Sequence, residues 1–214
     1  MNIKRLMCNP LQENCYVVSD ETKECIIIDC GVYYHEEKEA MVEYITQNSL
    51  KPVRLLATHG HLDHNFGNAF IYQKYGLKVE ICAEDQSLVE HLPEHAASLF
   101  GMDINEEQPP IGRLLKNGDT ISFGQHTLKV LHTPGHSHGS ALFYFEQEQT
   151  VFTGDTLFRM SIGRTDFPES SWAEMEHSLK NVVARLPKET VVLSGHGPQS
   201  SMADELQYNL YLKL

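Results

Sequence analysis

At 214 residues the chain can form one large domain or two small ones, and it is long enough to bury a real core. With 41% hydrophobic and 21% charged residues it has the composition of a soluble globular protein, which sets aside disordered and fibrous classes, and no apolar run approaches a membrane span. A formal charge of −12 weighs against nucleic acid as a partner, because such binding is driven by Lys and Arg neutralising phosphates.

The start "MNIKRLMCNP" holds a basic pair without the apolar segment of an export signal, so a cytoplasmic location is expected. Five cysteines (Cys8, Cys15, Cys25, Cys30, Cys82) form no Cys-x-x-Cys pair and leave an odd one, so they read as reduced, buried small hydrophobes. Strand-like runs follow at "NCYVVS" and "CIIID", then a helix over roughly 36–48 with Met41, Tyr44 and Ile45 on one face. A strand over 53–58 leads into "THGHLDHNFG". Beyond it, "NFGNAFIYQKYG" reads as a helix with Phe66, Ala69 and Phe70 as its apolar face and Gly76 as its stop. Residues 93–112, with Pro109-Pro110 and an acidic pair, read as a long surface loop with room for a helical piece.

The second half reads as a repeat of the first. "NCYVVSDETKECIIID" and "SALFYFEQEQTVFTGD" share two strand-like runs, a polar turn and a terminal Asp, Asp29 and Asp155. Each Asp is followed by an amphipathic helix, a strand, and a His just past that strand, in "LLATHG" and in "VVLSGHG". In the later helix Ser171 and Glu174 have capping-box spacing, and Trp172, Met175, Leu179, Val182, Val183 and Leu186 keep one face. Two β-β-α-β halves predict a four-layer α/β/β/α sandwich with polar strand ends meeting at one edge.

That edge would hold the chemistry. Residues 59–64 place His59, His61, Asp63 and His64 within one short stretch. In extended or loop geometry His59 and His61 can grip one ion, whereas a helix would point them apart. Asp63 and His64 stand near enough to hold a second. Imidazole and carboxylate suit zinc, and imidazole also serves iron, copper and nickel. His136, Asp155 and His196, each beside glycine at a strand end, are candidates to complete two sites. His59, His61 and His136 on one ion, Asp63, His64 and His196 on the other, and Asp155 between them would use every group. His35, His91, His95, His126 and His177 read as surface residues, as do His132 and His138 beside the second motif.

"THGHLDH", "TPGHSHGS", "FTGDTLF" and "LSGHGP", in this order, resemble the metallo-β-lactamase-fold hydrolases over essentially the whole chain. The nearest branch is the single-domain group related to hydroxyacylglutathione hydrolase (glyoxalase II), which "SIGRTDFP" also resembles. The resemblance implies the αββα fold as one domain over 1–214. It implies a dinuclear site on His59, His61, Asp63, His64, His136, Asp155 and His196, with zinc favoured and iron or manganese admissible. It further implies hydroxide generated between two ions to cleave a thioester or ester of a small molecule, with Asp63 and Asp155 as the catalytic carboxylates. Asp29 is a candidate to hydrogen-bond a ligand histidine. Arg164 is the candidate substrate contact, with a structural salt bridge as its rival. Tyr33, Tyr34 and Phe158 are candidates for the pocket wall.

Glyoxalase II carries a C-terminal helical domain that grips glutathione, and here only residues 197–214 follow His196, so that domain is not expected. A glutathione thioester and a smaller acyl thioester are then both open. The residue at the bridging position, together with the missing export signal, argues against a true β-lactamase. A mononuclear-iron persulfide dioxygenase and a lactonase of the same fold are the alternatives.

Overall fold

The computed structural model describes residues 1–102, 104 and 106–213; Asp103 and Asn105, in the expected surface loop, and Leu214 lie outside the described residues. The chain opens with β1 (Asn2–Cys8), β2 (Glu13–Ser19) and β3 (Glu24–Ile28) and crosses through α1 (His35–Gln47) to β4 (Lys51–Leu56). It continues with α2 (Asn68–Tyr75), β5 (Val79–Cys82), α3 (Gln86–Glu90), α4 (Leu92–Phe100) and β6 (Leu114–Leu115). Then come β7 (Thr120–Phe123), β8 (His126–His132), β9 (Ala141–Phe145), β10 (Thr150–Gly154), a small ribbon of β11 (Leu157–Phe158) and β12 (Ser161–Ile162), and α5 (Trp172–Asn181). The chain closes with β13 (Val191–Ser194), β14 (Ser200–Ser201) and α6 (Met202–Tyr208). One six-stranded sheet runs β1-β2-β3-β4-β5-β6 and the other β14-β13-β10-β9-β8-β7.

Alternation along the central strands explains the layers. Successive side chains point to opposite faces, so a strand covered on both sides must be apolar throughout, as "CIII" and "ALFYF" are. Tyr16, Val18, Ile26, Ile28 and Leu56 meet Phe143, Phe145 and Phe152 between the sheets. The intervening residues, Val17, Cys25, Ile27 and Leu55, face Met41 and Ile45 of α1 and Ile71 of α2. On the far side Leu142, Tyr144, Val151 and Val192 face Met175 and Leu179 of α5 and Met202 of α6. Three packed layers of side chains thus separate four layers of backbone, the expected αββα sandwich. At about 1.5–3 kcal/mol for each fully buried large apolar side chain, these layers supply the driving force for folding.

The two halves share one topology. β2 pairs antiparallel with β3 and β3 parallel with β4; β9 pairs antiparallel with β10 and β10 parallel with β13. A helix, α1 or α5, makes each parallel crossover, since parallel neighbours cannot be joined by a tight turn.

Several sequence expectations are corrected. β1 and β5 to β7 were not legible: β1 carries Lys4 and Arg5 and lies at a sheet edge, where charge is tolerated and blunts further pairing. The strand expected over 53–58 begins at Lys51 and ends at Leu56, with Pro52 at its start beside a register irregularity in the β3–β4 pairing. In α2 Ala69 is buried as expected and Ile71 joins it in the core, whereas Phe66 precedes the helix and Phe70 is half-buried. The helical piece allowed for in the loop over 93–112 is present at its start, as α4. Trp172 is 42% exposed and leaves the core face of α5, while Val182 and Val183 lie beyond its end. Ser171 caps α5 by accepting from the Glu174 N–H, but the Glu174 carboxylate turns to His138 instead of completing the box. No helix among the described residues is long and apolar enough to cross a membrane.

Candidate metal centre

Four strand ends deliver the candidate residues to one edge of the sandwich. β4 ends at Leu56, and the chain runs through His59 and His61 into a single 3-10 turn, Leu62–His64. His136 follows β8, Asp155 follows β10 at once, and His196 follows β13. The Asn65 amide locks the first loop by donating to the carbonyls of His59 and His61 at 3.0 and 2.7 Å. The buried carboxylate of Asp85 accepts from Gly60 N–H, Gly139 N–H and Ser137 Oγ at 2.6–2.7 Å, tying the loop of His59 to the loop of His136. Glycine at 195 is required by crowding: a Cβ there would lie 2.5 Å from the His64 ring and 2.4 Å from Asp155 Oδ1.

All seven residues meet. The ligand atoms of His59, His61 and His136 lie within 4.8 Å of one another, and so do those of Asp63, His64 and His196. Asp155 stands between the trios, with Oδ2 3.5 Å from His136 Nε2 and 3.6 Å from His196 Nε2, and Oδ1 3.3 Å from His64 Nε2. Asp63 Oδ2 is 3.2 Å from His196 Nε2. His132 Nε2 donates to the His138 carbonyl and His138 Nδ1 meets Glu174 Oε2, both outside the cluster.

Outer contacts decide which ring nitrogen faces inward. His59 Nδ1 lies 3.2 Å from Thr58 Oγ1, which itself donates to Asp29 Oδ2 at 2.7 Å. His61 Nε2 meets Glu169 Oε1 at 2.9 Å, His136 Nδ1 donates to the Arg164 carbonyl at 2.8 Å, and His196 Nδ1 donates to the Leu11 carbonyl at 3.1 Å. His64 Nδ1 is 3.1 Å from Asp29 Oδ2, without hydrogen-bond alignment, so Asp29 stands behind two of the histidines. Glu13, wholly buried, lies 4.0 Å from the same nitrogen, and burial pushes its carboxyl well up.

The inward atoms are short of partners. His59 Nε2, His64 Nε2 and Asp155 Oδ1 are buried and make no hydrogen bond. Leaving such atoms unpaired costs about 1–3 kcal/mol each, and three of them converging among histidines and carboxylates fit divalent cations. Burial pulls the His59 and His136 imidazoles below their usual range, which keeps them neutral as ligands must be. Burial also acts on His64, but the charges of Asp63, Asp155 and Asp29 outweigh it and hold that imidazole well above its usual range. His196 is raised too: burial opposes it, and its bond to Asp63 with the charge of Asp155 prevails. Against burial, the charge of His64 keeps Asp63 and Asp155 below the usual carboxylate range.

Above the cluster opens a cleft of about 680 Å³, walled by Leu11, Leu62, Phe158, Ile162 and Phe167, with Asp63, Asp155 and His196 exposed to it. Of the expected wall residues Phe158 is present. Tyr33 instead packs on Phe66 and Tyr34 is 47% exposed, neither lining the cleft. Arg164 lines the rim, its guanidinium held by both oxygens of Asp166 at 2.5 and 2.7 Å, which is the rival salt bridge. A depression of about 760 Å³ between α1 and α2 holds none of the clustered ligands, so the ligand set and not the volume marks the site. Glu13, Asp85 and Glu169 were not singled out from the sequence, since nothing local separates them from surface acids.

Fold and site define the class. A model of the metallo-β-lactamase superfamily matches residues 8–196, and the chain belongs to this superfamily of metal-dependent hydrolases. The chain is 32% identical over 213 residues to hydroxyacylglutathione hydrolase GloC from Haemophilus influenzae, a match covering 99% of this chain and 98% of that protein. Among solved structures, the BLEG-1 B3 metallo-β-lactamase superposes with a TM-score of 0.91 at 32% identity, covering 100% of both chains. TTHA1623 in a di-iron-bound form superposes with a TM-score of 0.86 at 34% identity, covering 98% of this chain and 100% of that one.

Proposed function

We propose that this protein is a dinuclear metallohydrolase that cleaves a thioester or ester bond in a small molecule, similar to hydroxyacylglutathione hydrolase. The observation that carries the reading is the pair of trios with Asp155 between them at the floor of an apolar-walled cleft. His59, His61 and His136 would hold one ion, Asp63, His64 and His196 the other, with Asp155 between. Zinc is favoured by the donor set, and the likeness to a di-iron-bound protein keeps iron in view beside manganese. When bound, such ions supply Lewis acidity and bring the pKa of water toward neutrality.

The chain's own residues do the rest. Asp63, open to the cleft and ionised at neutral pH, orients the attacking water and accepts its proton at the carboxylate. Leu62, Phe158, Ile162 and Phe167 seat the acyl group and exclude solvent. A carboxylate on the thiol half of a substrate would meet Arg5, in a depression that continues from the cleft past Leu11 and His196 and has no acid paired to it among the described residues. To contact substrate, Arg164 would have to exchange Asp166 for it. The five free, buried cysteines suit a reducing cytoplasm.

Elemental analysis of protein purified without added metal, followed by assay on S-lactoylglutathione and a simpler acyl thioester, tests the reading. Two equivalents of metal, with turnover lost in Asp63→Ala and KM little changed, is the expected result. One equivalent of iron with oxygen uptake on a persulfide, and no thioester turnover, would overturn it in favour of the dioxygenase. The likeness to a B3 enzyme makes a β-lactam the necessary third substrate, and β-lactam turnover without thioester turnover would equally overturn it.

A further inference from the structure

The segment 164–171, between β12 and α5, wraps around one of the two trios. It supplies the carbonyl of Arg164 to His136 Nδ1 at 2.8 Å, and Ser170 Oγ and Ser171 N–H donate to the carbonyls of His136 and Gly135 at 2.6 and 2.8 Å. Glu169 Oε1 accepts from His61 Nε2 at 2.9 Å, while His61 Nδ1 faces His136 Nε2 at 2.8 Å. Phe167 stands edge-on to His61 with ring centroids 5.1 Å apart, and the Arg164 guanidinium lies 4.4 Å over the Phe167 ring. The Arg164–Asp166 pair therefore stiffens a strap whose inner side touches two histidines of the same trio. His61 is the most exposed of the three, and its two bonded nitrogens leave one choice of which faces inward.

On the dinuclear reading of the site, we propose that Glu169 is a positioning residue for the ion held by His59, His61 and His136. Its carboxylate holds the His61 ring with Nδ1 inward and Nε2–H outward, and it makes the imidazole a better donor by accepting that proton's hydrogen bond. The same strap supplies Phe167, Arg164 and Glu169 to the rim of the cleft, so the tether for one ion is also part of the substrate wall. The other trio has no contact of this kind with the strap: its outer partners are Leu11, Asp29 and Glu13.

The test is metal affinity, not turnover. The full-length chain, stripped of metal, is titrated with Zn2+ against a chromophoric chelator and, separately, with Co2+ while its visible bands are followed. Glu169→Ala should weaken one of two ions about 10- to 100-fold, the range for losing an outer partner of a ligand, and shift the cobalt bands of that site. The second ion should bind as in the parent chain. Glu169→Gln, which keeps an acceptor oxygen, should recover part of the loss. Unchanged affinities and cobalt spectrum in Glu169→Ala would overturn the proposal, as would equal weakening of both ions with a lowered melting temperature of the metal-free chain, which marks a general structural role. A parent chain that takes up no second ion fails the dinuclear reading instead, and Glu169 is then judged on the ion that remains.

Discussion

Asp29 and Asp155 occupy matching places in the two halves, each after the second strand of a β-β-α-β unit, yet they face different ways. Asp155 reaches between the trios, within 3.3–3.6 Å of three histidine nitrogens. Asp29, held with φ of 53°, turns back on its own half: it accepts from Thr58 N–H and Thr58 Oγ–H at 2.7 Å and backs His59 and His64 from outside. The reason lies just past the next strand of each half. After β4 the chain places four candidate ligands in the residues up to His64, and they need support from behind; after β13 it places His196 alone. The shared topology thus carries a division of labour at one position: Asp155 enters the cluster, while Asp29 supports the candidate ligands of its own half from behind.

The largest difference between the two aspartates is expected on substitution of Asp155. Asp155→Asn should weaken both ions and cut turnover more than about 100-fold, beyond the range for an outer partner, as read by metal content and thioester assay. Asp29→Ala should stay within about 10- to 100-fold in metal affinity. It should also cost about 1–3 kcal/mol in urea unfolding for each group of Thr58 left unpaired. Equal losses in the two variants would erase the distinction.

In metal-stripped protein the trios should respond to pH with opposite sign. His59 and His136 are held below the unfolded imidazole value of about 6.5, so their contribution is present above it and is lost as pH falls through their folded values. His64 and His196 are held above that value, so theirs is complete below about 6.5 and is lost as pH rises through their folded values. The free energy of unfolding against pH, read by urea titration, should flatten on the acid side in His59→Gln and on the alkaline side in His64→Gln. The smallest effect is local to the second half. Ser171→Ala should lower stability by about 0.5 kcal/mol, because a 3.3 Å cap bond is a long one, and differential scanning calorimetry can read it.

Much of this was legible in the linear chain. Period-two apolar strands, a helix stop at Gly76 and the repeated β-β-α-β pattern are local consequences of backbone geometry, and they sufficed for the αββα sandwich. The seven candidate ligands were legible because a cluster such as His59 to His64 has no ordinary structural use, and because His136, Asp155 and His196 sit beside glycines at strand ends. What lay beyond reach depends on contacts across the fold. Tyr33 and Tyr34 could be counted as aromatic but not placed outside the cleft. Glu13, Asp85 and Glu169 are three acids among 29 acidic residues, and their neighbours in sequence say nothing of the imidazoles and loop amides they meet. Residue types and spacing determined which side chains could bind a cation and which fold would gather them. Tertiary structure alone decided which nitrogen of His61, His136 and His196 faces inward, because that choice is made by a hydrogen bond to a distant segment.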